Sequence, residues 1–396
     1  MKRRYWAGLA GALALPVVAE LLARAAIRRY GGYYRYVPHT RMRVTIDRAA
    51  LPKLRPVTRI EINRDGERGG PPPREGERAL RALVVGGSAA ECYYLDQDQT
   101  WPAVVERVLS EPRHLRALGV DRVHVGNVAR AIVPCAQIDV ALQKMLPRYR
   151  RLDLVLVMVG ASDMVSWMEQ RLPKTLGERT LDLAKLFEQH PEGPWGFTPG
   201  KSALRRLAGS LYRRVRRPVA EIQNGGDWLH RTRKMRAEAA RIIDEVPDAT
   251  PMLDHFEHHL GALLRTAQAG AERVILVRQP WLGGALGSEE EALMWNFGLG
   301  RPYREKVTTY FSARVVDALM RRIDARAASV AESLGMEHVD LLPKIERSTH
   351  TFYDYLHFTP EGAEAVGRVV AEAIARPARR APGVAANGAA RIRDVG

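Results

Sequence analysis

Cysteine is nearly absent: Cys92 and Cys135 are the only two in 396 residues. That excludes a disulfide framework, and no Cys-x-x-Cys pair or Cys/His spacing offers a zinc site. Each cysteine follows shortly after an apolar run, so two readings stand: a single bridge, or two buried free thiols. Acidic residues are also outnumbered, with 45 Asp and Glu against 61 Lys and Arg and a formal net charge of +16. Such a balance suits an acidic polymer, nucleic acid or anionic lipid, or it reflects an arginine- and alanine-rich composition alone. No compact Lys/Arg motif with interleaved aromatics occurs, which argues against nucleic acid as a partner. No internal repeat is visible. No Gly-x-Ser-x-Gly elbow occurs either, which disfavours the usual α/β-hydrolase arrangement.

The chain contains 46% hydrophobic residues, ample for one large α/β domain with an insertion and tails. Residues 1–30 read as a targeting segment. Lys2, Arg3 and Arg4 precede an uncharged apolar run from Tyr5 to Ala19, which Glu20 interrupts. The run is shorter than the ~20 residues of a full bilayer span. It fits a signal sequence with Ala23-Arg24-Ala25 as a cleavage site, or an uncleaved anchor prolonged past Glu20. No cysteine follows it, so a lipoprotein anchor is excluded. Either of these places the remainder outside the cytoplasm, membrane-anchored or secreted; an ordinary buried helix is the third reading. Residues 31–79 are rich in Arg, Pro and Gly, with Gly69-Gly70-Pro71-Pro72-Pro73 as a breaker, and read as a stalk carrying one or two short strands. Residues 376–396 read as a disordered tail.

Between them, 80–375 form the main domain. Five apolar runs predict strands of a buried parallel sheet: Ala82–Val85, Arg122–Val125, Leu154–Val159, Val274–Val277 and Glu337–Leu341. Helical patterns separate them, at Trp101–Leu109 behind a Thr100 cap, Ala136–Leu146, His255–Ala269, Tyr310–Leu334 and Pro360–Ile374. Strand–helix alternation of this kind predicts a doubly wound α/β fold. An insertion at 164–254 contains Trp167, Trp195 and Trp228 and a basic block from Lys201 to Arg241. It is a lid or substrate subdomain, or a solvated helical insertion.

Three small polar segments end the first three strands: Gly86-Gly87-Ser88, Asn127-Val128-Ala129 and Gly160-Ala161-Ser162-Asp163. In an open parallel sheet these ends share one crevice. Near the carboxyl end, Asp354-Tyr-Leu-His357 sets a carboxylate three residues before an imidazole. A serine at a strand end, a histidine to take its proton and an aspartate to orient that histidine are the requirements of nucleophilic acyl transfer. Ser88 is the candidate nucleophile, His357 the base and Asp354 its partner. The backbone N–H groups of Ser88 and Ala129 and the side chain of Ser162 are candidate donors to an oxyanion.

These four segments together resemble the SGNH (GDSL-like) hydrolase family, from about Arg81 to Ile374 with the insertion unmatched. Gly86-Gly87-Ser88 stands for its first block and Asp354-x-x-His357 for its last. Ala129 stands where the family carries a glycine, and Ser162 where it carries an asparagine. The resemblance implies a flavodoxin-like three-layer αβα sandwich around a central five-stranded parallel sheet, with no metal and no cofactor. It implies hydrolysis or transfer of acyl groups from lipids, thioesters or acetylated sugars; taken with the export segment, the leading expectation is an esterase that removes acyl groups, foremost acetyl, from an envelope or exported polysaccharide. An O-acyltransferase, a non-catalytic polysaccharide-assembly protein of the same fold, and cleavage of lipid esters are the alternatives. The oligomeric state is left open.

Overall fold

The computed structural model describes residues 2–29, 32–149, 152–176, 183–191 and 202–376. The tail from 377 onward, Trp195 and Lys201 lie outside them. The chain opens on helix α1 (Lys2–Arg29), then strands β1 (Arg41–Ile46) and β2 (Val57–Glu61). Alternation follows: β3 (Ala79–Gly86), the single turn α2 (Ser88–Glu91), α3 (Trp101–Leu109), α4 (Pro112–Leu118), β4 (Arg122–Asn127), α5 (Cys135–Met145), β5 (Leu154–Met158) and α6 (Ala161–Glu169). The inserted segment holds α7 (Leu183–Leu186), α8 (Ala203–Arg216), β6 (Val219–Gly225), α9 (Trp228–Ala237) and β7 (Arg241–Ile243). Then come α10 (Thr250–Gly270), β8 (Arg273–Val277), α11 (Ser288–Glu291), β9 (Thr309–Phe311), α12 (Ala313–Ser333), β10 (Glu337–Val339) and α13 (Pro360–Ala375).

The five expected strands form one parallel sheet in the order β10-β8-β5-β3-β4. Every residue of β5, the central strand, is buried, as a sheet covered on both faces requires. Helices α3, α4 and α13 pack together over one face, and α5, α10 and α12 over the other. Counted along the chain the order is 2-1-3-4-5, the flavodoxin-like arrangement, whose switch point lies between the first and third strands. Here those are β3 and β5, so the crevice opens where Gly86 and Met158 end their strands.

Local signals explain several boundaries. Thr100 caps α3, accepting from Ala103 N at 3.3 Å, and Pro102 occupies its first turn. The helix expected from Tyr310 starts later. Thr309–Phe311 is a strand, with Tyr310 paired to Ile242 of β7, and Ser312 caps α12. Both cysteines are free and buried. Met164 belongs to α6, so the insertion begins after Glu169.

The segment expected as a stalk, 31–79, is from residue 32 on folded into the domain. β1 is the middle strand of a three-stranded sheet, antiparallel to β2 and parallel to β6 of the insertion. Leu51 and Leu54 are fully buried, and Val44, Ile46, Ile60 and Ile62 join the same core. The Arg/Pro/Gly-rich composition concealed an alternation of apolar positions that is enough to bury one face. At the other end of the chain's first segment, Glu20 is buried and accepts from the backbone N–H groups of Ala203 (2.7 Å) and Leu204 (3.0 Å). The residue that interrupts the apolar run thus caps the start of α8. No helix among the described residues is long and apolar enough to cross a membrane.

Leu51→Ala and Leu54→Ala should each destabilise the whole domain by ~2–5 kcal/mol, the usual cost of truncating a buried leucine. Chemical denaturation followed by fluorescence measures this. A free stalk would leave the midpoint unmoved.

Candidate active site

β3 runs into a turn that only glycine fits. A Cβ on Gly86 would lie 2.2 Å from the Met158 carbonyl oxygen of the neighbouring strand. A Cβ on Gly87 would lie 2.6 Å from Ser162 Oγ, so the hydroxyl of Ser162 rests directly over the residue that precedes Ser88. The backbone then enters α2 with Ser88 as its first residue. The N–H groups of a helix's first turn have no intrahelical acceptor, which leaves that of Ser88 open to the crevice.

The chain's far end supplies the base. His357 Nε2 lies 2.7 Å from Ser88 Oγ, across 269 positions of sequence. His357 Nδ1 lies 2.7 and 2.9 Å from the two oxygens of Asp354. The serine O–H donates to Nε2, and the Nδ1–H donates to the carboxylate. The loop that presents the pair is closed by Tyr353 N donating to the His357 carbonyl at 3.0 Å. It ends at Thr359, which caps α13 by accepting from Gly362 N at 3.1 Å. Tyr353 stacks on the imidazole, with ring centroids 5.6 Å apart.

Asp354 is buried, and burial alone would raise its pKa. The facing imidazole, the N–H of Leu356 and the indole N–H of Trp295 outweigh that and hold it below the ordinary carboxylate range. For His357, burial pushes the pKa down. The charge of Asp354 and its hydrogen bond prevail, and the net direction is upward.

The segment after β4 is tied to α2. Asn127 Nδ2 donates to the Ala90 carbonyl at 2.8 Å, and Ala131 N donates to Glu91 Oε2 at 2.7 Å. The Tyr36 hydroxyl lies 2.9 Å from Glu91 Oε1. Here the structure departs from expectation. The N–H of Ala129 is already engaged, donating to Asn127 Oδ1 at 2.9 Å. With its Nδ2 held by Ala90, the Asn127 amide can turn its oxygen only back into its own loop. The segment after β5 is held by Ala161 N donating to Gln279 Oε1 at 3.3 Å. Asp163, whose carboxyl burial pushes up to about 7, accepts from Cys135 N at 3.1 Å and so ties α6 to α5.

Ser88, His357, Asp354 and Ser162 therefore meet, and Ala129 lies beside them with its donor engaged. Sequence reasoning missed Trp295, Gln279, Tyr36 and Glu91. Trp295 sits 59 positions before Asp354 in an irregular segment, with no periodicity to mark it. Glu91 carried a faint signal, as an acid in an otherwise small turn three residues after Ser88. Among the described residues, no group of three or more His, Cys, Asp or Glu side chains is placed to hold a metal ion.

No protein-family model matches the chain, and no curated protein does. Among solved structures it is similar to an acetylxylan esterase, Axe2 of Geobacillus stearothermophilus, at 12% identity and a TM-score of 0.39, covering 76% of this chain and 94% of that one. A lipolytic protein of the G-D-S-L family from Desulfitobacterium hafniense matches at 10% identity and a TM-score of 0.38, covering 74% and 98%. A lipase/acylhydrolase from Enterococcus faecalis matches at 14% and 0.37, covering 75% and 96%.

The upward shift of His357 fixes the sign of a pH dependence. The neutral imidazole is the base, so kcat/KM for an activated ester should rise with pH through an inflection above 6.5, the ordinary histidine value. Asp354→Asn removes the group that raises it. The inflection should then move to lower pH while the plateau falls on the order of a thousandfold or more. An unmoved inflection in that variant would contradict the pairing.

Proposed function

We propose that this chain is a serine acyl hydrolase of the SGNH type. The observation that carries the reading is the unbroken line from Ser88 through His357 to Asp354 at the switch point of the sheet. In the forward step, Ser88 Oγ passes its proton to His357 Nε2 and bonds to the ester carbonyl carbon. The carbonyl π electrons move onto oxygen. The Ser88 N–H receives that oxyanion, and the Ser162 hydroxyl over Gly87 is placed to assist. Collapse breaks the bond to the leaving alcohol, which takes the proton back from Nε2. Water then repeats the sequence on the acyl-serine and releases the carboxylic acid. Asp354 remains ionised throughout and steadies the imidazolium.

Acylated carbohydrate, foremost an acetylated envelope or exported polysaccharide, is the substrate class we favour. Two half-buried aromatic rings near the triad support it. Trp228 and Tyr94 are half-buried, Trp228 donating to the Tyr94 hydroxyl at 2.9 Å, and Trp228 packs edge-on, centroids 4.6 Å apart, against Trp295, the buried donor to Asp354. Flat rings with a polar edge suit sugar faces. The Lys2-Arg3-Arg4 start and the apolar run behind it support export of the domain.

A fluorophosphonate probe should label the wild type and fail on Ser88→Ala, while acetate release from an acetylated polysaccharide falls to background in the same variant. Labelling that persists in folded Ser88→Ala removes the nucleophile assignment. Release of acetate from small esters but from no polysaccharide removes the substrate class only.

A reporter that functions only outside the cytoplasm, fused after Gly396, should be active in cells. A silent reporter on a stable, soluble fusion contradicts export.

A further inference from the structure

We propose that α8 is an interfacial helix that seats the protein on an anionic phospholipid bilayer. The helix is amphipathic in the inverted sense. Leu204, Leu207, Leu211, Tyr212 and Val215 recur at helical spacing on one side, and all are exposed, Leu211 by 61% and Val215 by 67%. A helix packed for solubility alone would turn that stripe to the core. Its opposite side faces the protein instead, through arginine. Arg206 donates to the His190 carbonyl, and Arg213 Nε donates to the Pro38 carbonyl at 3.1 Å. Glu20 and Ser202 cap its start, so the orientation is set by hydrogen bonds at one end and along one face.

The charges around the stripe point to the occupant. Arg205, Arg214, Arg216 and Arg217 are exposed beside it, and α8 contains no acidic residue. Arginine stems can lie along an apolar surface while their guanidinium groups meet phosphates at its edge. The adjoining α1 exposes apolar side chains as well, among them Leu15, Val18 and Leu22. An apolar face bordered by arginines is the pattern of a helix lying in the plane of an anionic membrane surface. A second copy is a poor occupant, because it would bring the arginine flanks together. The inference does not rest on the chemistry of Ser88.

The test places a reporter on the stripe of the full-length chain. Leu211→Cys can be labelled selectively with a polarity-sensitive fluorophore, because Cys92 and Cys135 are buried and burial pushes the Cys92 thiol up to about 12. Vesicles of phosphatidylcholine mixed with phosphatidylglycerol should blue-shift the label and shield it from an aqueous quencher. Phosphatidylcholine alone, or high salt, should not. The same label on exposed Ser288 should stay in water. Adding Arg205→Glu and Arg216→Glu should weaken vesicle binding about tenfold or more. The proposal is overturned if the chain binds vesicles while the label at 211 remains in water, which would mean attachment through α1 alone. It is also overturned by an equal shift on uncharged vesicles, or by a shift that tracks protein concentration without lipid.

Discussion

Asp354 carries a charge where water cannot reach it, and an uncompensated carboxylate there would be far too costly to keep. The structure surrounds it with donors: the N–H groups of Leu356 and His357, the imidazole Nδ1–H and the indole of Trp295. Each serves a second purpose. The two backbone donors force the tight turn that lets residues 354 and 357 share one loop. The imidazole contact selects the tautomer whose Nε2 is free to take a proton. The indole brings the segment before β9 up against the catalytic loop, and with it Trp228 of the insertion. The geometry at Ser88 thus follows from the need to solvate one buried anion with protein.

Arginine answers the same problem for neutral groups. Arg68 is buried and donates to the carbonyls of Glu91, Cys92 and Leu95, which shapes the exit from α2. Arg35, also buried, reaches the carbonyls of Leu186 and Val128. From α9, Arg233 holds the carbonyls of Ala50 and Tyr353, and Arg236 those of Asn296 and Phe311. Irregular segments bury carbonyls that no strand or helix satisfies, and a five-donor side chain meets several at once. Part of the basic excess is therefore internal scaffolding and does not face any acidic partner. The inserted segment, in its α9 part, braces the catalytic loop.

What the sequence made legible follows from range. The five strands announce themselves as apolar runs, because a sheet covered on both faces admits little else. The Asp354–His357 pair is a local motif, and the chain around Ser88 is marked by two glycines. The distant donor to Asp354, Trp295, and Tyr36, which reaches the Ala129 loop through Glu91, have no local signature. The buried face of residues 32–79 was hidden for another reason: its strands are short, arginines lie between their apolar positions, and prolines interrupt the connection between them. The engaged N–H of Ala129 depends on the side-chain rotamer of Asn127, which no pattern of letters encodes. Positions 87 and 162 are linked likewise, since any side chain on one must displace the hydroxyl of the other.

The cap that Glu20 places on α8 joins two segments more than 180 positions apart. Ala23-Arg24-Ala25 lies just beyond that glutamate, so a peptidase cutting there would carry the cap away with the released peptide. The first turn of α8 would lose two hydrogen bonds and a favourable charge at once. Maturation by cleavage and retention of an ordered α8 are in this way opposed outcomes. The covalent history of the first thirty residues would be recorded in the order of a helix far along the chain.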